Sequence, residues 1–209
     1  MTRTTNGGRS INLRDMTLLA IIAALSIVLK PYLRIPFGFI QTTLGIPVGA
    51  IIGGLYMFWP VLAGRFVPKA GAVFLVCLLQ GFLAIATGFT GLLGNMAFFS
   101  YLAPGIVIES LYFILDKTQR TRPTEPQQAT RIGARTSLIA LILAGGIGNV
   151  AGAATNALLF FVIRGSAFTF ALISSFVTGA AGGWLAYLVA ERVPALSAHR
   201  WGADLENAP

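Results

Sequence analysis

The sequence predicts an all-α integral membrane protein with six transmembrane helices. Of its 209 residues, 56% are hydrophobic and only 11% are charged. A soluble fold of this size would have too few polar residues to cover its surface. The second observation is an uncharged run of 39 residues, 70–108, which Glu109 closes. Because about 20 apolar residues span a bilayer core, this run predicts two crossings.

The long uncharged run has a natural break near its middle. Two glycines and two threonines interrupt the aliphatic pattern at residues 87–91, and such clusters mark turns. The break predicts a membrane hairpin, with a third span over residues 71–86 and a fourth over 92–115. The second arm of this hairpin carries Glu109, the only acid deep in any apolar segment.

The first span is predicted to begin near Asn12, whose side chain can cap a helix, with Asp15 in the first turn. The Lys30-Pro31 pair is predicted to end it. On one face, Ala20 and Ala24 lie four residues apart and form a strip of small side chains. Such a strip is typical of packing between helices, and it can also dock another membrane protein.

The segment after this helix, residues 32–43, is apolar but interrupted by Pro36 and Gly38. Apolar yet broken backbone is typical of a re-entrant loop or a lid over a membrane site. We therefore predict a lid-like first outer loop between spans one and two.

Three further apolar segments complete the six spans, and polar stretches flank them. A long connection, rich in Arg, Pro, Gln and Thr, is predicted to be flexible. The predicted second, fifth and sixth spans cover residues 44–64, 136–163 and 168–190. The predicted organisation is a disordered cytoplasmic N-terminus (1–12), one membrane domain (13–192) with its flexible cytoplasmic loop (116–135), and a polar C-terminal tail (193–209).

The basic residues predict the orientation. With both termini in the cytoplasm, twelve Lys and Arg residues lie inside and three outside, as the positive-inside rule requires. We expect N-in/C-in topology in the plasma membrane of a prokaryote. The inner residues are Arg3, Arg9, Arg14, Arg65, Lys69, Lys117, Arg120, Arg122, Arg131, Arg135, Arg192 and Arg200; the outer ones are Lys30, Arg34 and Arg164.

The sequence holds no constellation typical of an enzyme. The only histidine, His199, lies in the polar tail, and Cys77 lies in an apolar run. Glu109, the one deep carboxylate, has no second acid in the apolar spans to share acid–base catalysis. No phosphate-binding P-loop is present, so any ATP that powers this protein would be bound by another polypeptide. We expect no catalytic activity, no metal and no cofactor.

Uncharged polar side chains inside the apolar spans are costly and usually face the bundle interior. Asn149 and Asn156 are seven residues apart and share one helix face. Most such residues fall in the outer half under the predicted topology. Two interpretations stay open, namely hydrogen bonds between helices and a pocket that opens outward. The candidate binding residues are Gln80, Asn95, Asn149, Asn156, Ser174 and Thr178.

Glu109 has functional interpretations as a proton carrier or as a ligand for a cationic substrate. It lies 14 residues beyond Asn95, which is about 21 Å further inward along a helix. This depth favours packing against the inner ends of helices, or coupling to a partner.

Several short sequences follow one another in a characteristic order and spacing. They are LGIPV (44–48), GG (53–54), WP (59–60), PKAGA (68–72) and PGIVIE (104–109). Over residues 13–190 the chain resembles the substrate-binding S components of energy-coupling factor (ECF) vitamin transporters, nearest to those similar to thiamine and hydroxymethylpyrimidine S components.

The resemblance implies a vitamin-binding subunit that works with a membrane T component and two ABC ATPases. It implies that Ala20 and Ala24 dock on the T component and that the first loop closes over the vitamin, so that Arg34, Phe37 and Gln41 join the candidate binding residues. No outer carboxylate is present for a cation such as thiamine. Amide groups and aromatic faces fit a neutral or an anionic vitamin, and a cation can still lie on aromatic rings, so the substrate stays open. The alternatives are a stand-alone proton-coupled transporter that uses Glu109, and an assembly protein without a ligand.

Overall fold

A computed structural model shows the predicted all-helical fold. Its elements are α1 (Leu13–Leu44), α2 (Val48–Phe66), α3 (Ala72–Thr87), a short 3-10 helix (Gly91–Met96), α4 (Ala97–Thr121), α5 (Leu138–Leu159) and α6 (Ser166–Arg192). The structure describes residues 10–44, 48–121, 137–159 and 165–193, with side chains except at 33–44, 48–51, 91–93 and 119–121. The six predicted helices are confirmed within these ranges.

Charged contacts define one end of the bundle, which we name the basal end. Here Lys69 Nζ lies 2.6 Å from Asp15 Oδ2, which joins the start of α1 to the turn between α2 and α3. Arg65 Nη2 lies 3.1 Å from Glu191 Oε1, which joins the last turns of α2 and α6. Successive helices therefore run in opposite directions, and the opposite end, where α4 and α6 begin, is the distal end.

The closest helix contacts involve glycines on α6. A Cβ atom at Gly182 would collide with the carbonyl group of Gly54 on α2, and one at Gly179 would collide with the carbonyl of Gly145 on α5. Small residues of this kind let membrane helices approach backbone to backbone. Helix α6 thus packs against both α2 and α5, while α1 packs on α2 and α3, and α4 packs on α3 and α5.

All six helices contribute to one buried apolar core. Its members include Leu19, Val61, Val73, Ile108, Leu141 and Ala186, each with no exposed surface. Large apolar side chains also cover the outside of the bundle, and Phe113 is 70% exposed. Apolar residues on both the inside and the outside are typical of a helical bundle surrounded by lipid.

Three described helical segments are long and apolar enough to cross a membrane: Gly94–Thr118, Leu138–Leu159 and Ser166–Arg192. The apolar helix Ala72–Thr87 is shorter. These segments correspond to the predicted spans four, five, six and three.

The predicted hairpin break is confirmed. Helix α3 ends at Thr87, and Gly88 adopts a left-handed conformation with φ of 72°, which a side chain would strain. Beyond the turn, α4 packs back along α3, where Gly105 faces Cys77 and Gly81 faces Phe98.

The prediction that Lys30-Pro31 ends the first helix is wrong, because α1 continues to Leu44. A proline removes one backbone hydrogen bond, but membrane helices tolerate it where neighbouring groups satisfy the backbone. The segment predicted as a broken loop, 32–43, is therefore helical in its backbone. Its role as a cover over a substrate stays a prediction. Similarly, α4 reaches Thr121, six residues into the connection predicted to be flexible from Asp116.

Candidate substrate-binding site

Three helices converge on Lys30 in the distal half of the bundle. Its ammonium nitrogen lies 3.9 Å from the ring centroid of Tyr101 on α4 and 5.0 Å from that of Tyr56 on α2. Both distances are within the range of cation–π attraction. The three side chains form what we name the lysine–tyrosine cluster.

A buried hydrogen bond supports this cluster on its basal side. The Gln80 amide on α3 donates to Ser26 Oγ on α1 at 2.7 Å, and Ser26 Oγ donates to the carbonyl of Ala23 at 2.7 Å. Ser26 lies one turn before Lys30, on the same face of α1. Gln80, a predicted binding residue, thus ties α1 to α3 directly beneath the lysine.

Three aromatic rings lie near the cluster on α3 and α4, with Phe82 and Phe99 about half exposed. The rings of Phe82 and Phe98 are 5.2 Å apart, and those of Phe98 and Phe99 are 6.1 Å apart. Phe98 packs on Gly81, and the Tyr101 side chain lies next to the same glycine. This arrangement supplies flat apolar faces against which a ring compound can stack.

The Asn149 amide lies in a different place, at the junction of α2, α5 and α6. Its nitrogen donates to the Ser175 carbonyl at 2.8 Å and to Thr178 Oγ1 at 3.2 Å. Its amide group also lies over the Cα atom of Gly53, where no side chain has room. These contacts hold three helices together, as the interpretation based on hydrogen bonds between helices expects.

The hydroxyls of α6 bond mainly to their own helix. Thr178 Oγ1 donates to the Ser174 carbonyl at 3.0 Å, and Ser174 Oγ donates to the Phe170 carbonyl at 2.8 Å. The neighbouring Ser175 is fully buried, and its Oγ has no hydrogen-bond partner in the described part of the chain. An unpaired buried hydroxyl costs free energy; Ser175 is one of the polar residues expected inside the last span, but it is not among the predicted binding residues.

The other predicted residues lie apart from these groups. Asn156 Oδ1 accepts a hydrogen bond from Ser100 Oγ, which joins α5 to α4 one residue before Tyr101. Asn95 is exposed in the 3-10 helix. The side chains of Arg34, Phe37 and Gln41 lie outside the described residues. The structure brings Asn149 and Thr178 into contact, Ser174 lies one turn from Thr178, and Gln80, Asn95 and Asn156 lie in separate places; substrate contact stays a prediction for all of them.

Sequence analysis missed the lysine–tyrosine cluster because it treated Lys30 as a boundary charge. A lysine before a proline suggests a helix end, and that interpretation placed the ammonium group at the membrane surface. Once α1 continues past Pro31, Lys30 lies inside a long helix and faces its neighbours. No pattern in the sequence pairs Lys30 with Tyr56 or Tyr101.

The predicted docking strip faces away from the bundle. Ala20 and Ala24 are exposed, whereas the adjacent Ala23 is completely buried against the core. Packing within the chain therefore uses Ala23 and leaves the strip open. Docking of another protein on Ala20 and Ala24 stays a prediction.

Glu109 contacts a helix end at the basal side. Its Oε1 atom accepts a hydrogen bond from the backbone nitrogen of Gly71 at 2.7 Å. Gly71 precedes α3 and has a φ of 86°, so Glu109 places a carboxylate at the positive N-terminus of that helix. This contact agrees with the interpretation that Glu109 packs against the inner end of a helix. Within the described ranges, no three His, Cys, Asp or Glu side chains lie close enough to share a metal ion.

Comparison with protein families gives a match over residues 14–125, just over half of the chain, to the family described as "ABC-type cobalt transport system, permease component". The chain belongs to this family. The matched region contains α1 to α4 and with them the lysine–tyrosine cluster. Membership makes the chain a membrane transport subunit rather than an enzyme.

A solved structure shares the fold of this permease-family chain. It is described as the crystal structure of an S-component of an ECF transporter, with a TM-score of 0.71, 17% sequence identity, and 94% of each chain covered. At this identity the likeness shows the fold alone. A comparison with curated proteins gives no match.

Proposed function

We propose that the chain is the substrate-binding subunit of an ECF-type ABC importer. In this role it captures a small vitamin or vitamin precursor from outside and releases it inward together with a T subunit and two ABC ATPases. The observation that supports this proposal most strongly is the fold of an S component, shared over 94% of the chain, in a member of a transport permease family.

The basal end is the cytoplasmic end in this proposal. The described basic residues at or near that end include Arg14, Arg65, Lys69, Lys117 and Arg192, and an excess of Lys and Arg is typical of cytoplasmic loops. The distal half, with the lysine–tyrosine cluster and the aromatic faces, then opens toward the outside of a prokaryotic plasma membrane. Capture from outside requires this orientation.

The strip of Ala20 and Ala24 is the proposed contact for the T subunit. It is exposed along α1, and its small side chains allow a second helix to approach closely. Because α1 also carries Lys30, a single helix would link the partner surface to the substrate region.

The proposed substrate is an organic ring compound, with thiamine and its pyrimidine moiety as the first candidates. Flat aromatic faces and amide or hydroxyl groups are what such a ring binds. The polar groups described above are amides and hydroxyls. Cobalt, the metal named in the description of the family, prefers ligands of another type. The further candidate residues Arg34, Phe37 and Gln41 would approach from the segment after Lys30.

The test has a binding part and a transport part. The full chain is purified in detergent, and compounds retained through purification are extracted and identified by mass spectrometry. Uptake of the identified compound is then measured in cells with and without a T subunit and ATPases. We expect a retained vitamin-like compound and uptake only with the added subunits. Uptake at full rate without any ATPase would overturn the proposal.

A further inference from the structure

The lysine–tyrosine cluster holds a cation for which the chain provides no carboxylate. The chain has seven acids, and none of them lies in residues 16–108 or 126–190, which include the distal parts of all six helices. Asp15 and Glu191 are paired with Lys69 and Arg65 at the basal end. Glu109 also lies toward that end, where it contacts Gly71.

The groups around Lys30 satisfy its charge only in part. Two tyrosine rings approach the ammonium group, and ring faces attract a cation without replacing oxygen acceptors for its three N–H donors. The nearby Gln80 amide donates its own hydrogen bond to Ser26. Among the residues whose side chains the structure describes, no oxygen atom accepts a hydrogen bond from Lys30 Nζ, and a charge inside a membrane bundle is costly without such partners.

A substrate that lies beside Tyr101, near the Phe98 ring, would meet this ammonium group. An acceptor atom on the substrate would complete the hydrogen bonding that the described residues leave incomplete. A fixed positive charge would instead be repelled, because like charges interact strongly where little water screens them.

We propose that Lys30 is a specificity-determining residue, which donates to an acceptor group of a neutral or anionic ring compound and disfavours substrates with a fixed positive charge. This inference rests on the proposed function and narrows its substrate class. Of the two first candidates, the pyrimidine moiety has neutral ring nitrogens that accept hydrogen bonds. Thiamine also carries a permanently charged thiazolium ring.

The test uses three probes that share one ring and differ in charge. They are thiamine, its hydroxymethylpyrimidine moiety, and the phosphate ester of that moiety. Affinities are measured by titration calorimetry on the purified full chain in detergent. We expect the neutral or the phosphorylated pyrimidine to bind at least ten-fold more tightly than thiamine.

Variants of Lys30 test whether this residue causes the preference for the pyrimidine over thiamine. Lys30→Met should weaken binding of the preferred pyrimidine at least ten-fold and should not weaken binding of thiamine, whereas Lys30→Arg should keep the preference. Lys117→Met, at an exposed basal lysine, is the matched control and should bind like the original protein. Thermal unfolding in detergent confirms that each variant is folded.

The outcomes separate the two proposals. If thiamine binds as tightly as the pyrimidines, or if folded Lys30→Met keeps full affinity for them, the role of Lys30 is overturned and the transport function stands. If none of the three probes binds to the original protein, the proposed substrate class fails and the inference fails with it. Should Lys30→Met fail to fold, loss of the preference in folded Lys30→Arg would overturn the inference and its retention would support it.

Discussion

At the basal end the helices are joined through charged groups, whereas in the distal half they are joined through amides, hydroxyls and aromatic faces. Asp15 pairs with Lys69, and Arg65 pairs with Glu191. On the distal side, Gln80 bonds to Ser26, and the Lys30 ammonium group lies among tyrosine rings. The difference teaches that, among the described residues, the paired charges lie at the basal end, while the distal Lys30 has aromatic rings and no carboxylate as its neighbours.

The two ends are linked by α1, which carries both Asp15 and Lys30. A bulky substitution on its exposed face between these residues, Ala20→Trp, should abolish uptake and leave substrate binding in detergent unchanged, because the strip is the proposed docking surface and lies apart from the proposed substrate region. Uptake in cells with the full set of subunits, together with calorimetry, measures both effects.

The matched control is Ala181→Trp, at an exposed alanine on α6, which should transport normally. If both Ala20→Trp and Ala24→Trp transport at the normal rate, the docking surface lies elsewhere and the proposed link through α1 is lost.

Among the basal contacts, the Asp15–Lys69 pair should matter most for stability, because both side chains are largely buried. Their exposed fractions are 12% and 16%. Asp15→Leu leaves the ammonium group of Lys69 without its carboxylate and should cost about 2 kcal/mol. Denaturant unfolding followed by circular dichroism measures the change in the free energy of unfolding.

The double variant Asp15→Leu/Lys69→Met should recover part of this loss, since it removes both charges. The more exposed Arg65–Glu191 pair is the comparison, where Glu191 is 50% exposed. Glu191→Leu should cost less than about 1 kcal/mol. If both substitutions lower the free energy of unfolding equally, burial does not determine which ion pair contributes more to stability.

The distal counterpart is Gln80→Leu, which removes the hydrogen bond to Ser26. We expect a loss of about 1 kcal/mol, since Ser26 still donates to the Ala23 carbonyl and only one neutral bond is lost. The loss should not change with salt concentration, because no net charge is involved, and this distinguishes it from the basal pairs. A loss that shrinks at high salt would contradict the division between the two ends.

The smallest effect is expected at Glu109. Glu109→Gln keeps an oxygen acceptor for the Gly71 backbone and should change substrate affinity and uptake less than about two-fold, well under 1.4 kcal/mol of binding free energy. Uptake should still require the ATPases. If Glu109→Gln binds substrate normally but loses uptake, and if uptake by the original protein depends on pH, the alternative of a proton-coupled transporter would be favoured.

The number of helices was predictable from the sequence because hydropathy is a local property. The uncharged run and its glycine break placed α3 and α4 to within a few residues at the break. The end of α1 was not predictable, since the effect of Pro31 depends on the helices that surround it. Local pattern supplies a helix, and the packing partners decide how far it continues.

The candidate site was less predictable, because pairings between helices are not encoded locally. The sequence singled out Asn149 as polar and interior, and the structure shows its amide joined to Thr178 and Ser175 over Gly53. The same residue types fit a ligand pocket and a packing contact equally well. Only the positions of neighbouring helices distinguish the two uses, and the same information identified Lys30.

The glycine contacts of α6 have a mechanical consequence. Where Gly182 meets Gly54 and Gly179 meets Gly145, the backbones touch without side chains between them, so that sliding one helix along another produces immediate collisions. Helices α2, α5 and α6 therefore act as one stiff frame. The described contacts of α1 run through side chains instead, such as Lys30 with Tyr56 and Ser26 with Gln80, so they can adjust by changes of rotamer where the glycine contacts cannot.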